Sequence, residues 1–434
     1  MGADNGVPAD GRAGAETGTG LGAGTESGTA TGTGTTAGAQ AAVAGANRLT
    51  ARWARTCGGD STVLSGACVW PLLAALSDGA SGMTRDELAT VVGLPADAAL
   101  DAGRDLLRVL DQSPAVRTAL GLWTSARVEV NEQWTARLPQ TAHGVLDRDP
   151  ARAKAALDAW VEKETDGLLH EMPVAIDAET LLVLAATLTV RTKWEREFAP
   201  VRTDGAGLWQ GRVLVGLRRT TDVSDLRVAT TAESGPVTLA TVRGQDEIDV
   251  VLALGGPDAR AGDVLATAIA SSGLYTEPGT DNGVQITAVN LDGDEPGPGL
   301  TVREIHSLGR TPTATLNTVA FHVDAHHDLL EHADLFGLKT ATDRSQGHFP
   351  GISTTPPLCV QRAAQDAMAV FSATGFVAAA VTAVSAVASA AMSMSTTRHL
   401  TASFDRPFGF VAVHRPTGLV LVSGWVTDPD DYPR

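Results

Sequence analysis

The sequence predicts a mixed α+β protein, on three observations. Leu181 to Val190 is a nearly continuous apolar run, the pattern of a strand buried on both faces. Thr84 followed three residues later by Glu87 reads as a capping box, opening a helix that stops at Gly93. Short apolar or alternating runs close the chain, Phe404 to Phe410 and Leu421 to Trp425, joined across Pro416-Thr417-Gly418.

Taken in order, the chain opens on low complexity. Gly14 to Gly45 is Gly, Ala and Thr with almost no large apolar side chain to offset ordering entropy. Residues 1–47 are therefore expected to be a disordered tail and 48–434 a single domain. A first helix is expected from Asn47 to Arg55, and Ser65 to Leu76 is apolar throughout its second half. Trp160-Val161, Thr165 and Gly167-Leu168 read as the end of an amphipathic helix, and Ile176 to Thr180 as a turn. Val237 to Val242 and Ile248 to Leu254 read as strands. Thr276 to Pro298 is turn-rich and gives no register, and Leu329 to Leu338 reads as a helix and loop.

Composition narrows the function classes. A formal charge of −17 disfavours nucleic acid, anionic membranes and polyanionic activators as partners. Three cysteines, Cys57, Cys68 and Cys359, are too few and too odd for a disulfide framework and read as small buried apolar residues. No basic stretch leads into an apolar one at the N-terminus, which makes a cytoplasmic location the expectation. His322, His326, His327 and His332 cluster at a spacing that puts two imidazoles on one helix face, but with no cysteine or acidic signature they read as exposed helix residues and no metal is expected. No Gly-x-Ser-x-Gly elbow, phosphate loop or dinucleotide fingerprint is present, so a hydrolase is unsupported.

Ala367 to Thr397 carries no charge and no proline. It exceeds the roughly 20 residues that span a bilayer, but its hydroxyls and turn-punctuated flank do not suit a membrane helix. A buried Ala-rich helix is a second reading. The β-branched Val377, Val381, Thr382, Val384 and Val387 open a third, a segment stable either as an exposed loop or as a central strand.

Gly375, Ala378, Ala379, Ala380 and Thr382 match a hinge of the form Glu-x-Gly-Thr-x-Ala-Ala-Ala-x-Thr. Phe404, Asp405-Arg406-Pro407-Phe408, Phe410, Pro416-Thr417-Gly418, Gly424 and Pro429 match a C-terminal signature, and Lys193-Trp194 with Phe198 an interior one. On these motifs the chain resembles the serpin family, as a bacterial-type member. The resemblance implies a large central β-sheet, smaller β-sheets, about eight or nine helices and an exposed reactive-centre loop in residues 375–403. It implies a monomeric, cofactor-free inhibitor of a serine endopeptidase, not an enzyme. Such an inhibitor is a suicide substrate whose cleaved loop inserts into the main sheet. A non-inhibitory serpin serving as a binding or structural protein is the alternative. Resemblance also sets an extracellular location against the cytoplasmic one.

The same resemblance assigns positions. The family's hinge-to-bond spacing puts the scissile bond at Ser389-Ala390, with Met392-Ser393 and Met394-Ser395 as alternatives. These uncharged residues imply an elastase-, subtilisin- or chymotrypsin-like target; a trypsin-like one would need Arg398. Ser65, Cys68, Ala186 and Gln365 fall at the positions that control sheet opening. Ala186 and Gln365 stand where the family has Asn and His, which leads to the expectation of a repacked apolar contact there. Phe376 stands where the family has a small residue, so overpacking by about 1–3 kcal/mol is expected to slow insertion.

Overall fold

The computed structural model describes residues 36–138, 142–172, 174–272, 283–293, 296–307, 311–376 and 395–433. The described residues fall in one compact unit. Its α-helices are α1 (Ala37–Ala54), α2 (Gly66–Gly79), α3 (Gly82–Val92), α4 (Ala96–Asp111), α5 (Glu132–Thr135), α6 (Pro150–Glu164), α7 (Ala261–Ser271) and α8 (Ala333–Phe336). The first strands are β1 (Thr62–Leu64), β2 (Val116–Ser125), β3 (His143–Leu146), β4 (Leu182–Val190), β5 (Thr192–Lys193) and β6 (Ala199–Asp204). Next come β7 (Val213–Thr221), β8 (Leu226–Thr231), β9 (Gly235–Arg243), β10 (Ile248–Leu254), β11 (Gln285–Ala288), β12 (Leu300–Ser307) and β13 (Thr313–Val319). The last are β14 (Phe321–Asp328), β15 (Arg362–Phe371), β16 (Gly375–Phe376), β17 (Ser395–Ser403), β18 (Phe408–His414) and β19 (Leu419–Val426).

Three sheets organise these strands. The main sheet runs β3-β2-β4-β15, with β14 on the far edge of β15 and with β16 and β5 at its upper end. A second sheet has the order β12-β17-β13-β7-β6, and a third β1-β19-β18-β10-β9-β8-β11. Every residue of β4 is buried, as its unbroken apolar sequence requires. One face of the main sheet rests on α2 and the third sheet. The other is covered by α6, whose Ala153, Leu157 and Val161 pack on Val183 and Ala185 of β4 and Ala364 of β15.

Several local expectations differ from the structure. The boundary expected at residue 48 falls inside α1, which begins at Ala37 under a Thr36 cap and buries Ala39, Ala42, Val43 and Ala46. Small side chains lose little entropy in a helix and fit closely against α2 and α4, so Ala-rich composition here encodes packing. The Thr84/Glu87 capping box is absent. Ser81 precedes α3, Thr84 bonds His348, and the Glu87 carboxylate takes the backbone N–H and hydroxyl of Thr340. Gly93 does end that helix, in a left-handed conformation with φ of 75°.

Candidate functional site

The upper end of the main sheet is a fork. Over Val183 to Leu188, β4 is a direct parallel neighbour of β15 from Arg362 to Ala367. Above Leu188 the two part, and β16 occupies the gap. Phe376 pairs antiparallel with Phe371 of β15 on one side and with Thr192 of β5 on the other, and Gly375 pairs with Lys193. Continuing the β4–β15 register would set Phe371 opposite Thr192, and Phe376 lies between those two residues. β16 thus has the direction, register and position of a strand entering between β4 and β15.

The fork is held by backbone groups. Trp194 donates its N–H to Thr374 and its indole N–H to Ser372, at 3.0 and 2.9 Å, and Phe198 donates to Ala373. Gly375 is required here, because a Cβ would come within 2.4 Å of the Thr192 carbonyl oxygen. Phe376 is 1% exposed, edge-on to Phe410 with ring centroids 6.1 Å apart. Phe371 beside it stacks on Phe321 and touches Trp194 and Phe198. The Arg219 guanidinium lies 4.7 Å from the Phe198 ring, and burial draws its pKa down to about 10. The expected overpacking at Phe376 is therefore corrected: an aromatic seat already holds that side chain.

Below the fork, Gln365 is fully buried and lies in register with Ala186. Its side-chain oxygen accepts from the Ser65 N–H at 2.9 Å and its amide donates to the Ser65 carbonyl at 2.7 Å. The Ser65 hydroxyl in turn donates to the Leu421 carbonyl and caps α2 at Cys68. The expectation of an apolar contact is corrected. One primary amide supplies both the donor and the acceptor that the backbone at the start of α2 needs. Ala186 makes room for it, and the enclosed Cys68 thiol has its pKa pushed up by burial.

Asp366, next along β15, faces the opposite side, in register with Thr187. It is buried and accepts at Oδ1 from His326 Nδ1 at 2.5 Å, while its Oδ2 and the Thr187 hydroxyl are buried without protein partners. Burial raises the Asp366 pKa, and the His326 contact works against that rise. The hydrogen bond to Asp366 raises that of His326. The histidines do not share a helix face: His322, His326 and His327 lie on β14, where Phe321, Val323 and Ala325 alternate with polar residues. His327 instead donates to the Val63 carbonyl, and His322 pairs with Asp324. Among the described residues no group of three or more His, Cys, Asp or Glu is placed to hold a metal. Asp366 was missed in the sequence, although an acid inside the apolar run of β15 was a visible signal.

The uncharged run begins and ends as sheet. Ala367 to Phe371 belongs to β15, Gly375–Phe376 is β16, and Ser395–Thr397 opens β17. No helix among the described residues is long and apolar enough to cross a membrane. The loop region expected over 375–403 is narrower, because Ser395 to Ala402 is paired with β12 and Ser403 with β13. Hinge positions Ala378, Ala379, Ala380 and Thr382 and bond candidates Ser389, Ala390, Met392, Ser393 and Met394 lie outside the described residues. Ser395 stands opposite Ser307, and Arg398 opposite Glu304, with the Arg398 side chain on the Leu291 carbonyl and Asp292.

Comparison with known proteins matches this chain to the family model "Serpin (serine protease inhibitor)" over residues 42–209 and 303–429. Serpin-Z2A of rice is 29% identical over 153 residues, covering 31% of this chain and 35% of that protein. The chain thus spans about a third of the length of the curated relatives it matches. Among solved structures, human thyroxine-binding globulin complexed with thyroxine shares 15% identity at a TM-score of 0.67, covering 90% of this chain and 99% of that one. A serpin of the trematode Schistosoma haematobium shares 14% at 0.64, covering 90% and 100%. Together with the three-sheet architecture, the family match establishes that this chain belongs to the serpins, a family of protease inhibitors in general.

Proposed function

We propose that this protein inhibits a serine endopeptidase as a suicide substrate, trapping the acyl-enzyme by inserting its cleaved loop between β4 and β15. The observation that carries this reading is β16, which already has the pairing of the first two residues of such a strand. Extending its register downward sets Val381 between Thr187 and Asp366, and Thr382 between Ala186 and Gln365. The even-numbered residues Ala378, Ala380, Thr382, Val384, Ala386 and Ala388 then follow Phe376 onto the face over α2, and all are small or β-branched. About a dozen new ladder hydrogen bonds, at roughly 1 kcal/mol net each, and the burial of those side chains oppose the entropy of ordering the segment.

The protease serine would attack the carbonyl carbon of Ser389, or of Met392 or Met394. The C–N bond breaks, the new amino group leaves with the C-terminal piece, and the acyl ester stays on the inserting segment. Uncharged residues on both sides of these bonds favour an elastase-, subtilisin- or chymotrypsin-like enzyme. Arg398 does not suit a trypsin-like one, since its backbone is paired with Glu304 in β12. The working form is a monomer without a cofactor.

The test is incubation with pancreatic elastase or subtilisin, a denaturing gel, and mass spectrometry of the released C-terminal fragment. The expected result is an SDS-resistant adduct with a fragment beginning between Ala390 and Ser395. Clean cleavage without an adduct would reject trapping and leave the non-inhibitory reading.

A further inference from the structure

Arg219 is a charged side chain in an apolar place. It stands on β7 of the second sheet, 7% exposed, with its guanidinium over the Phe198 ring. One terminal nitrogen donates to the Arg196 carbonyl at 3.0 Å, and the other to the Thr241 carbonyl of β9, in the third sheet, at 3.3 Å. Its Nε is buried without a partner, and the neighbouring Asp225 carboxylate is already taken by Thr221 and Arg243. Removing a guanidinium from water and leaving one donor unfilled costs stability that an apolar side chain of similar size would not. Stability therefore does not account for this arginine.

What Arg219 adds is a fixed geometry. Residues 194–198 form an arch whose two ends carry the turn between β15 and β16, through Trp194 to Thr374 and Ser372 and through Phe198 to Ala373. The arch meets the third sheet at Glu195, which donates its N–H to the Arg243 carbonyl at 3.0 Å. The planar guanidinium reaches the middle of the arch, the ring at its end and β9 together, so the three cannot shift independently. The Arg196 side chain returns the contact, donating to the Thr220 carbonyl beside Arg219 at 3.4 Å.

We propose that Arg219 is a positioning residue for trapping, pinning the arch so that β16 stays seated between Phe371 and Thr192; this rests on the suicide-substrate reading given above. Trapping competes with hydrolysis of the acyl ester. A strand that must first find its seat starts more slowly, in proportion to the fraction of time it spends unseated. Arg219 lies outside the sequence motifs of the hinge and of sheet opening, and its effect reaches Phe376 through Trp194, Phe198 and the turn they hold.

The experiment compares two variants by hydrogen exchange and by titration against pancreatic elastase. Arg219→Met keeps the length and the apolar stem and removes both donors; Arg219→Lys keeps the charge and can fill one carbonyl. In Arg219→Met, the amides of Trp194 and Phe198 are expected to exchange at least about tenfold faster than in the parent, the factor that one or two net hydrogen bonds represent. Val250 and Leu252 of β10, paired on both sides, are expected to keep their rates. The number of inhibitor molecules consumed per protease trapped is expected to rise at least about twofold, with the loop still cleaved at the parent's rate, and Arg219→Lys to fall between the two. A merely structural role would move the β10 amides as well and leave the ratio of trapping to cleavage as it was. Parent exchange rates at Trp194 and Phe198 in Arg219→Met overturn the pin, and a parent ratio despite faster exchange overturns its part in trapping. If that variant does not fold, Arg219→Lys is read by the same two criteria. A parent protein that is cleaved without an adduct sinks trapping itself and with it any part of Arg219 in it, whereas an adduct-forming parent with an unmoved variant sinks Arg219 alone.

Discussion

Truncating Phe376 to Ala empties an enclosed seat beside Phe410 and Phe371, and a buried Phe→Ala change costs about 3–5 kcal/mol. Urea unfolding of the intact protein is expected to show a loss of that size at unchanged slope; a loss below about 1 kcal/mol would mean the ring contributes little to the fork. At Asp366 the prediction concerns pH. His326 has a raised pKa in the folded state, so its contribution is complete below its unfolded value and is lost as pH rises through the raised one. The raised pKa of Asp366 acts in the same sense at lower pH, since its buried carboxylate is less favourable folded than unfolded. Glu171, Asp324 and Lys154 surround the pair and shift these midpoints without changing the direction. Asp366→Asn is therefore expected to flatten the fall in melting temperature between mildly acidic and mildly alkaline pH. An unchanged slope would exclude the pair as its source. Gln365 shows where residue-level reading stops: its identity was plain in the sequence, but its bonds to Ser65 cross the sheet and no local pattern encodes them.

Elements with strong local signals were legible. β4 and β10 follow from their apolar and alternating runs, and β18 and β19 from runs broken by Pro416-Thr417-Gly418. Elements defined by distant partners were not. Glu87 has the spacing of a cap, yet Thr340 occupies its carboxylate. The histidines of β14 were read at a period of 3.6, although Phe321, Val323 and Ala325 carry a period of two. β12 follows the turn-rich region Thr276 to Pro298, and its partner β17 lies about a hundred residues further along the chain. The seam itself is an element-scale feature, and Thr382→Arg tests it without disturbing the fork. On the proposed register that side chain enters between Ala186 and Gln365, both fully buried, where an unpaired charge is strongly unfavourable. The variant is expected to form less than about a tenth of the parent's adduct while cleavage continues. Full adduct yield would place Thr382 elsewhere.

In the whole molecule, the fork fixes one end of residues 377–394 and β17 fixes the other. The family was legible because its motifs are local in sequence: Lys193 and Gly375 pair at the fork, and Phe404 to Pro429 carries β18 and β19. The pre-seated Phe376 and the paired start of β17 were not, because each depends on strands far away in sequence. The central claim is that the loop enters between β4 and β15 in the register that β16 sets. Ala186→Cys/Thr382→Cys in a Cys68→Ala background tests it most directly, since directly opposed residues in an antiparallel pair bring their Cβ atoms to about 4.5–5.5 Å. A disulfide that forms only after cleavage is the result predicted; a cleaved chain in which these two cysteines stay free would contradict it.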